Sequence, residues 1–139
     1  MDTAEIEYFL RKEKGFKGVF AHDEIPECER PALFVINTHR ACLPGEHWVV
    51  AYLPHVGNAE FFDSFGRWPF TKTLRDVVGL PYVFNNKVVQ DLTSTACGYH
   101  CVHFAKLRLR GVSFKDILSV YSKDLKKNDE YVINKVSQL

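Results

Sequence analysis

The sequence predicts an α+β fold, and three observations carry that expectation. An amphipathic helical stretch comes first, several short apolar runs of strand length follow, and the last third of the chain turns to good helix formers. The length of 139 residues fits one domain, 1–139, and with 46% hydrophobic and 14% aromatic residues a sizeable core is within reach.

The elements follow in chain order. Thr3 to Lys14 is expected as a helix, with Ile6, Phe9 and Leu10 at helical spacing. Asp2 is its cap, because Glu5 follows at capping-box spacing, whereas Thr3 has Ile6 at that offset and could only cap simply. Gly15 stops the helix, and Gly18 to Pro26 reads as a loop. Ala32–Asn37 is a continuous apolar run typical of a buried strand. His47–Leu53 is a second strand stopped by Pro54, Val56 to Asn58 a hairpin turn, and Glu60–Asp63 a third strand. Lys72–Val78 is expected as a helix ending near Gly79, and Val83–Val89 as a further strand. Cys97–Arg110 reads as a helix stopped at Gly111. Ser113 then caps a helix over Phe114–Lys127 with Ile117, Leu118 and Tyr121 on one face, and a short last helix covers Asp129–Val136.

Several function classes are disfavoured at once. A net charge of +1 supplies no global drive toward nucleic acid, anionic lipid or acidic substrate. No apolar run is long enough to span a bilayer, and the acidic, polar start is unlike a secretory signal. The four cysteines, Cys28, Cys42, Cys97 and Cys101, therefore read as reduced thiols in an intracellular protein.

Cys97 stands at the expected start of a helix, with Thr95 or Ser94 as cap. Helix N-termini favour anions, so a thiolate is stabilised there, and Gly98 would let a substrate backbone come close. A thiolate protease also needs a base, and histidine titrates in the right range. His100 and His103 share the helix of Cys97, and His22, His39 and His55 sit in loop-like sequence, whereas His47 opens a strand, where placement is rigid. The orienting acceptor follows from topology. A short hairpin makes the strands led by His47 and ended by Asp63 antiparallel neighbours, so the end of the second returns to the start of the first. Oxyanion donors would be the backbone N–H of Cys97 and the amide of Gln90. Taken singly, these residues also fit a buried structural cysteine, a strand-end histidine and an exposed turn aspartate.

At these positions the sequence resembles the adenain (adenovirus protease) family of cysteine proteases and, more distantly, the ubiquitin-like-protein proteases of the same clan. The matching pieces are Gly45-Glu46-His47-Trp48, Phe61-Phe62-Asp63-Ser64-Phe65-Gly66, and Gln90 followed by Ser94-Thr95-Ala96-Cys97-Gly98-Tyr99-His100-Cys101. Gly18-Val19-Phe20 and Asn37-Thr38 are similar to early segments of the family. The order His, acid, Gln, Cys is that of the clan, and Asp63 is the acid of the ubiquitin-like-protein proteases where adenain commonly carries Glu.

The resemblance implies a central mixed or antiparallel sheet flanked by helices, with the nucleophile at the N-terminus of a central helix. It implies a thiol endopeptidase that processes viral precursor proteins, often after small residues such as Gly. The catalytic residues would be His47, Asp63, Gln90 and Cys97, with Trp48 shaping the substrate approach or simply packing. The expected partner is a protein or peptide substrate met by a monomer, with no membrane, no cofactor and no metal, in a virion or in host nucleus or cytoplasm. The family also uses an activating peptide and DNA. The stretch Arg75 to Phe84 lacks the cysteine that would link such a peptide, and Lys106, Arg108, Arg110 and Lys115 are the one candidate basic patch. Three alternatives stay open: removal of ubiquitin or a ubiquitin-like modifier, zinc held by Cys97, His100, Cys101 and His103, and a degenerate relative acting as a binding module.

Overall fold

The computed structural model describes residues 1–38 and 47–139. His39, Cys42 and the Gly45-Glu46 part of the resemblance lie outside the described residues. The elements are α1 (Thr3–Leu10), β1 (Phe16–Ala21), β2 (Ala32–Asn37), β3 (Trp48–Leu53), β4 (Ala59–Phe62), α2 (Lys72–Val78), β5 (Tyr82–Phe84), α3 (Cys97–Leu109), α4 (Phe114–Ser119) and α5 (Leu125–Ser137). The strands form one mixed sheet in sequence order. β2, β3 and β4 are antiparallel neighbours, while β1 and β5 join at the edges in parallel. The architecture is α+β with helices flanking the sheet, as expected.

The sheet sorts its side chains by strand alternation. Leu33, Val35, Val50 and Phe62 face a core completed by α3 residues Cys101, Val102, Phe104 and Ala105 and by Ile6 and Leu10 of α1. Phe34, Ile36, Val49, Ala51 and Phe61 point the other way and meet Leu74 and Val78 of α2. β2 and β3 are therefore buried on both faces, which is why Ala32–Asn37 reads as an unbroken apolar run. α3 is buried over most of its first nine residues because it runs between the sheet on one side and α1 and α5 on the others.

Caps follow the expected chemistry at four helices. Asp2 and Glu5 form a reciprocal capping box on α1, and Thr71, Ser113 and Asp124 cap α2, α4 and α5.

Four expectations need correction. Gly18 to Ala21, read as loop, belongs to β1; Gly18 sits at a register shift with φ 130°, so its glycine marks a bulge in an edge strand rather than a loop. The strand expected to reach Val89 stops at Phe84, because the next side chain, Asn85, takes over the ladder by bonding the backbone N–H and C=O of Asp63. The long helix expected from Phe114 ends at Ser119, where Ser122 and Asp124 turn the chain, and α5 starts at Leu125 rather than Asp129. α1 ends at Leu10 and not at Lys14. Among the described residues no helix is long and apolar enough to cross a membrane.

Phe104 ties α3 to the sheet, stacking on Phe62 with ring centroids 4.7 Å apart and meeting Phe114 edge-on. Truncation leaves a cavity that the strands cannot collapse to fill. Phe104→Ala is expected to lower unfolding free energy by about 3–5 kcal/mol in urea titrations.

Candidate functional site

Two strand ends and one helix start converge. His47 immediately precedes β3, Asp63 immediately follows β4, and Cys97 is the first residue of α3. The β3–β4 ladder pairs Val50 with Phe62, so extending its register sets His47 opposite Phe65. The two rings stack there, 4.6 Å apart and 16° from parallel. Asp63 lies diagonally across, and the His47 Nε2 to Asp63 Oδ1 distance is 2.6 Å.

Asp63 has no solvent exposure. Besides His47, its carboxylate accepts from the Phe65 backbone N–H at 2.8 Å and from Arg67 Nε at 2.9 Å. Asn85 holds the Asp63 peptide itself, accepting from its N–H at 3.0 Å and donating to its C=O at 2.6 Å. Every lone pair aimed at His47 is thus set by a second partner, which removes freedom from the imidazole.

The other ring nitrogen of His47, Nδ1, is buried and closes no hydrogen bond of ordinary geometry. The Cys97 thiol is nevertheless close enough for each group to alter the other's titration, so the two are in loose register rather than locked together. Burial disfavours the imidazolium, but the Asp63 hydrogen bond and the Cys97 sulfur outweigh it and raise the His47 pKa to about 9. For Cys97, burial acts to raise the pKa; the nearby His47 ring, the backbone N–H groups of Trp48 and Gly98 and the imidazolium charge together hold it below the ordinary thiol value. Both shifts favour a thiolate–imidazolium pair. Cys101, one turn on and fully buried, has its thiol pushed well up by desolvation and stays neutral.

Gln90 lies near the same cluster but is committed elsewhere. Its Oε1 accepts from Ser64 Oγ at 2.5 Å, and its Nε2 donates to Ser94 O at 3.0 Å and Ser94 Oγ at 3.1 Å. Ser94 therefore serves Gln90 instead of capping α3. The N-cap of that helix is Ala96, with no side-chain hydrogen bond, so the expected Thr95 or Ser94 cap is not made, and the Gly98 backbone N–H acts on the thiol instead.

Gly98 and two of the candidate basic residues meet partners within the chain. Gly98 admits the chain's own Met1: a Cβ there would lie 2.8 Å from the Met1 Cβ. Trp48, only 9% exposed, donates from Nε1 to the Met1 carbonyl at 3.3 Å, so Met1, Trp48 and Gly98 form one wall beside the sulfur. Of the four basic residues, Arg108 forms a two-pronged ion pair with Glu60 and Arg110 one with Glu13.

The remaining histidines do other work. His100 bonds Asp129 and Tyr121 and so faces away from the role of base, and His22 bonds Thr73 Oγ1. Among the described residues no group of three or more His, Cys, Asp or Glu side chains is placed to hold a metal, and both ring nitrogens of His100 are occupied. Sequence reasoning missed Asn85, Ser64 and Arg67. An Asn-Asn pair after a strand is the sequence sign of a side chain that substitutes for backbone pairing.

Comparison with solved structures gives a match over 94% of the chain to the ASFV pS273R protease, with a TM-score of 0.59 and 17% identity. The fold is shared with a protease. The chain spans 64% of that protein's length. It also matches the central domain of the uncharacterized Lpg1148 protein of Legionella pneumophila, with a TM-score of 0.54 and 14% identity over 99% of this chain and 94% of that one. No family model and no curated protein matches the sequence.

The raised His47 pKa has a stability consequence. The folded state holds this proton more tightly than the unfolded chain. The resulting stabilisation is complete below the model-compound value of 6.5 and is lost as pH rises through about 9. Following the ring by NMR should give a midpoint near 9, and Asp63→Asn should lower it by removing the charged acceptor.

Proposed function

We propose that this chain is a cysteine endopeptidase with Cys97 as nucleophile, His47 as acid and base, Asp63 as the group that orients it, and Gln90 as an oxyanion donor. The observation that carries the reading is the 2.6 Å bond from a buried Asp63 to His47, whose ring lies close enough to the Cys97 sulfur for each to shift the other's titration. A lone buried cysteine needs no such partner, and a structural histidine needs no thiolate.

In this reading the Cys97 thiolate attacks the scissile carbonyl. The oxyanion is taken up by the Cys97 N–H and the Gln90 amide, which gives up its bond to Ser94 Oγ and keeps the one to Ser94 O. The His47 imidazolium donates its Nδ1 proton to the leaving amine, releasing the first product and leaving a thioester. Water then attacks the thioester, His47 takes its proton, and the acid product and thiolate are regenerated. Substrates with small residues such as Gly before the cut suit the narrow wall built by Met1, Trp48 and Gly98, and viral precursor proteins are the substrate class the family resemblance favours. Because Asp63 is shared with the ubiquitin-like-protein proteases, a ubiquitin-type electrophilic probe separates a modifier protease from a precursor-processing enzyme.

Cleavage of an internally quenched peptide with Gly-Gly before the scissile bond tests the assignment. Cys97→Ala should abolish turnover and Cys97→Ser should lower it by about 10⁴-fold or more, while wild-type rates in either variant would refute the nucleophile. Gln90→Ala should cost roughly 100-fold in kcat. Iodoacetamide mapped by mass should label Cys97 far faster than Cys28 or Cys101 at neutral pH, and His47→Ala should suppress that difference. The rate profile should fall on the alkaline side near pH 9, where His47 loses the proton it must donate.

A further inference from the structure

The helix α5 lies 38 and 39 residues beyond the Gln90 segment at its points of contact, yet it holds that segment on both sides. Asn128 Nδ2 donates to the Val89 carbonyl at 3.0 Å, which belongs to the peptide group before Gln90. The Asp91 N–H, which belongs to the peptide group after Gln90, donates to Asp129 Oδ2 at 3.4 Å. Both peptide planes of Gln90 are therefore tied to two consecutive, buried polar residues of one helix. The Ser64 carbonyl, accepting from the Val89 and Gln90 N–H groups at 2.8 and 3.1 Å, closes the clamp from the sheet side.

Both clamp residues reach further. The Asp129 Oδ1 bonds His100 Nε2 at 2.8 Å, and His100 sits one turn after Cys97 on α3. His100 Nδ1 in turn meets the Tyr121 hydroxyl at 2.9 Å. Burial, the largest influence on His100, lowers its pKa, so the neutral ring donates from Nε2 to Asp129 and accepts from Tyr121 at Nδ1. Asn128 is fixed by Ser122, accepting from its N–H at 2.9 Å and donating to its carbonyl at 2.8 Å. One carboxylate thus references the Gln90 backbone to the helix that carries the sulfur. This matters for catalysis because a donor misplaced by about 1 Å can cost on the order of 100-fold.

We infer that Asn128 and Asp129 are positioning residues that set the Gln90 amide relative to Cys97. The inference rests on the assignment of Gln90 to the oxyanion. A buried pair of this kind could serve folding alone, so the distinguishing feature is that it acts through Gln90.

The test uses the full chain and the Gly-Gly quenched peptide. Asn128→Ala and the conservative Asp129→Asn should each lower kcat on the order of tenfold with KM little changed. The iodoacetamide rate of Cys97 should stay near wild type, because neither variant touches the Cys97–His47 pair. In a Gln90→Ala background the Asn128→Ala loss should largely vanish. Equal losses in both backgrounds, or a labelling rate that falls together with kcat, would overturn the positioning role. Hydrogen exchange gives an activity-independent arm: Asp129→Asn should speed exchange of the Asp91 amide about tenfold or more, and an unchanged Asp91 amide would rule out the clamp even in a variant that folds poorly. If Gln90→Ala leaves kcat unchanged, the oxyanion assignment fails and the positioning role falls with it. If wild type cleaves nothing, the protease reading fails first, and the exchange arm decides whether the clamp exists as a structural feature only.

Discussion

A carboxylate with no exposure to water is costly unless every oxygen is answered, and the arrangement around Asp63 depends on that constraint. Backbone N–H, guanidinium and imidazole each supply a donor, and Asn85 fixes the peptide from which the side chain springs. The requirement works in both directions. Buried charge needs the imidazole, and the imidazole gains a fixed tilt and a raised proton affinity from the charge. Arg67 has a further part: 45% exposed at its side chain, it forms the solvent-side cover of Asp63 while its guanidinium lies over Phe70.

The sheet makes this geometry reproducible. Because β3 and β4 are buried on both faces, a slip of one residue would exchange the partners of α2 and α3 along the whole strand. Register is thereby enforced by the two cores, and the register sets where the strand ends fall. The site lies outside the strands proper, one residue before β3 and one after β4, where backbone pairing no longer claims the groups that the side chains use.

Much of this was legible beforehand, and the reasons are local. The α2 boundaries and the β2 strand follow from short-range pattern and match Lys72–Val78 and Ala32–Asn37. The approach of His47 to Asp63 follows from hairpin logic alone. What escaped notice depends on partners distant in sequence. β1 is a strand because β2 is beside it, which its glycine and the His22-Asp23 pair that follows conceal. β5 stops early because Asn85 captures a peptide 22 residues away. The break after α4 reflects Asn128 binding Ser122, and the pairing of Arg108 and Arg110 depends on Glu60 of β4 and on Glu13, three residues past the end of α1. No periodicity of 3.6 or 2 carries such information.

Arg108 stands 11 residues after Cys97 on the same helix, roughly 16 Å along its axis. Its planar fork grips both oxygens of Glu60 on β4, at 2.8 and 2.9 Å, and a third prong reaches the Val112 carbonyl. A rod moored at its far end to the strand that leads into Asp63 cannot ride lengthwise over the sheet. Cys97 and Asp63 are consequently mounted on one chassis, with the Arg108–Glu60 pair as its far fastening.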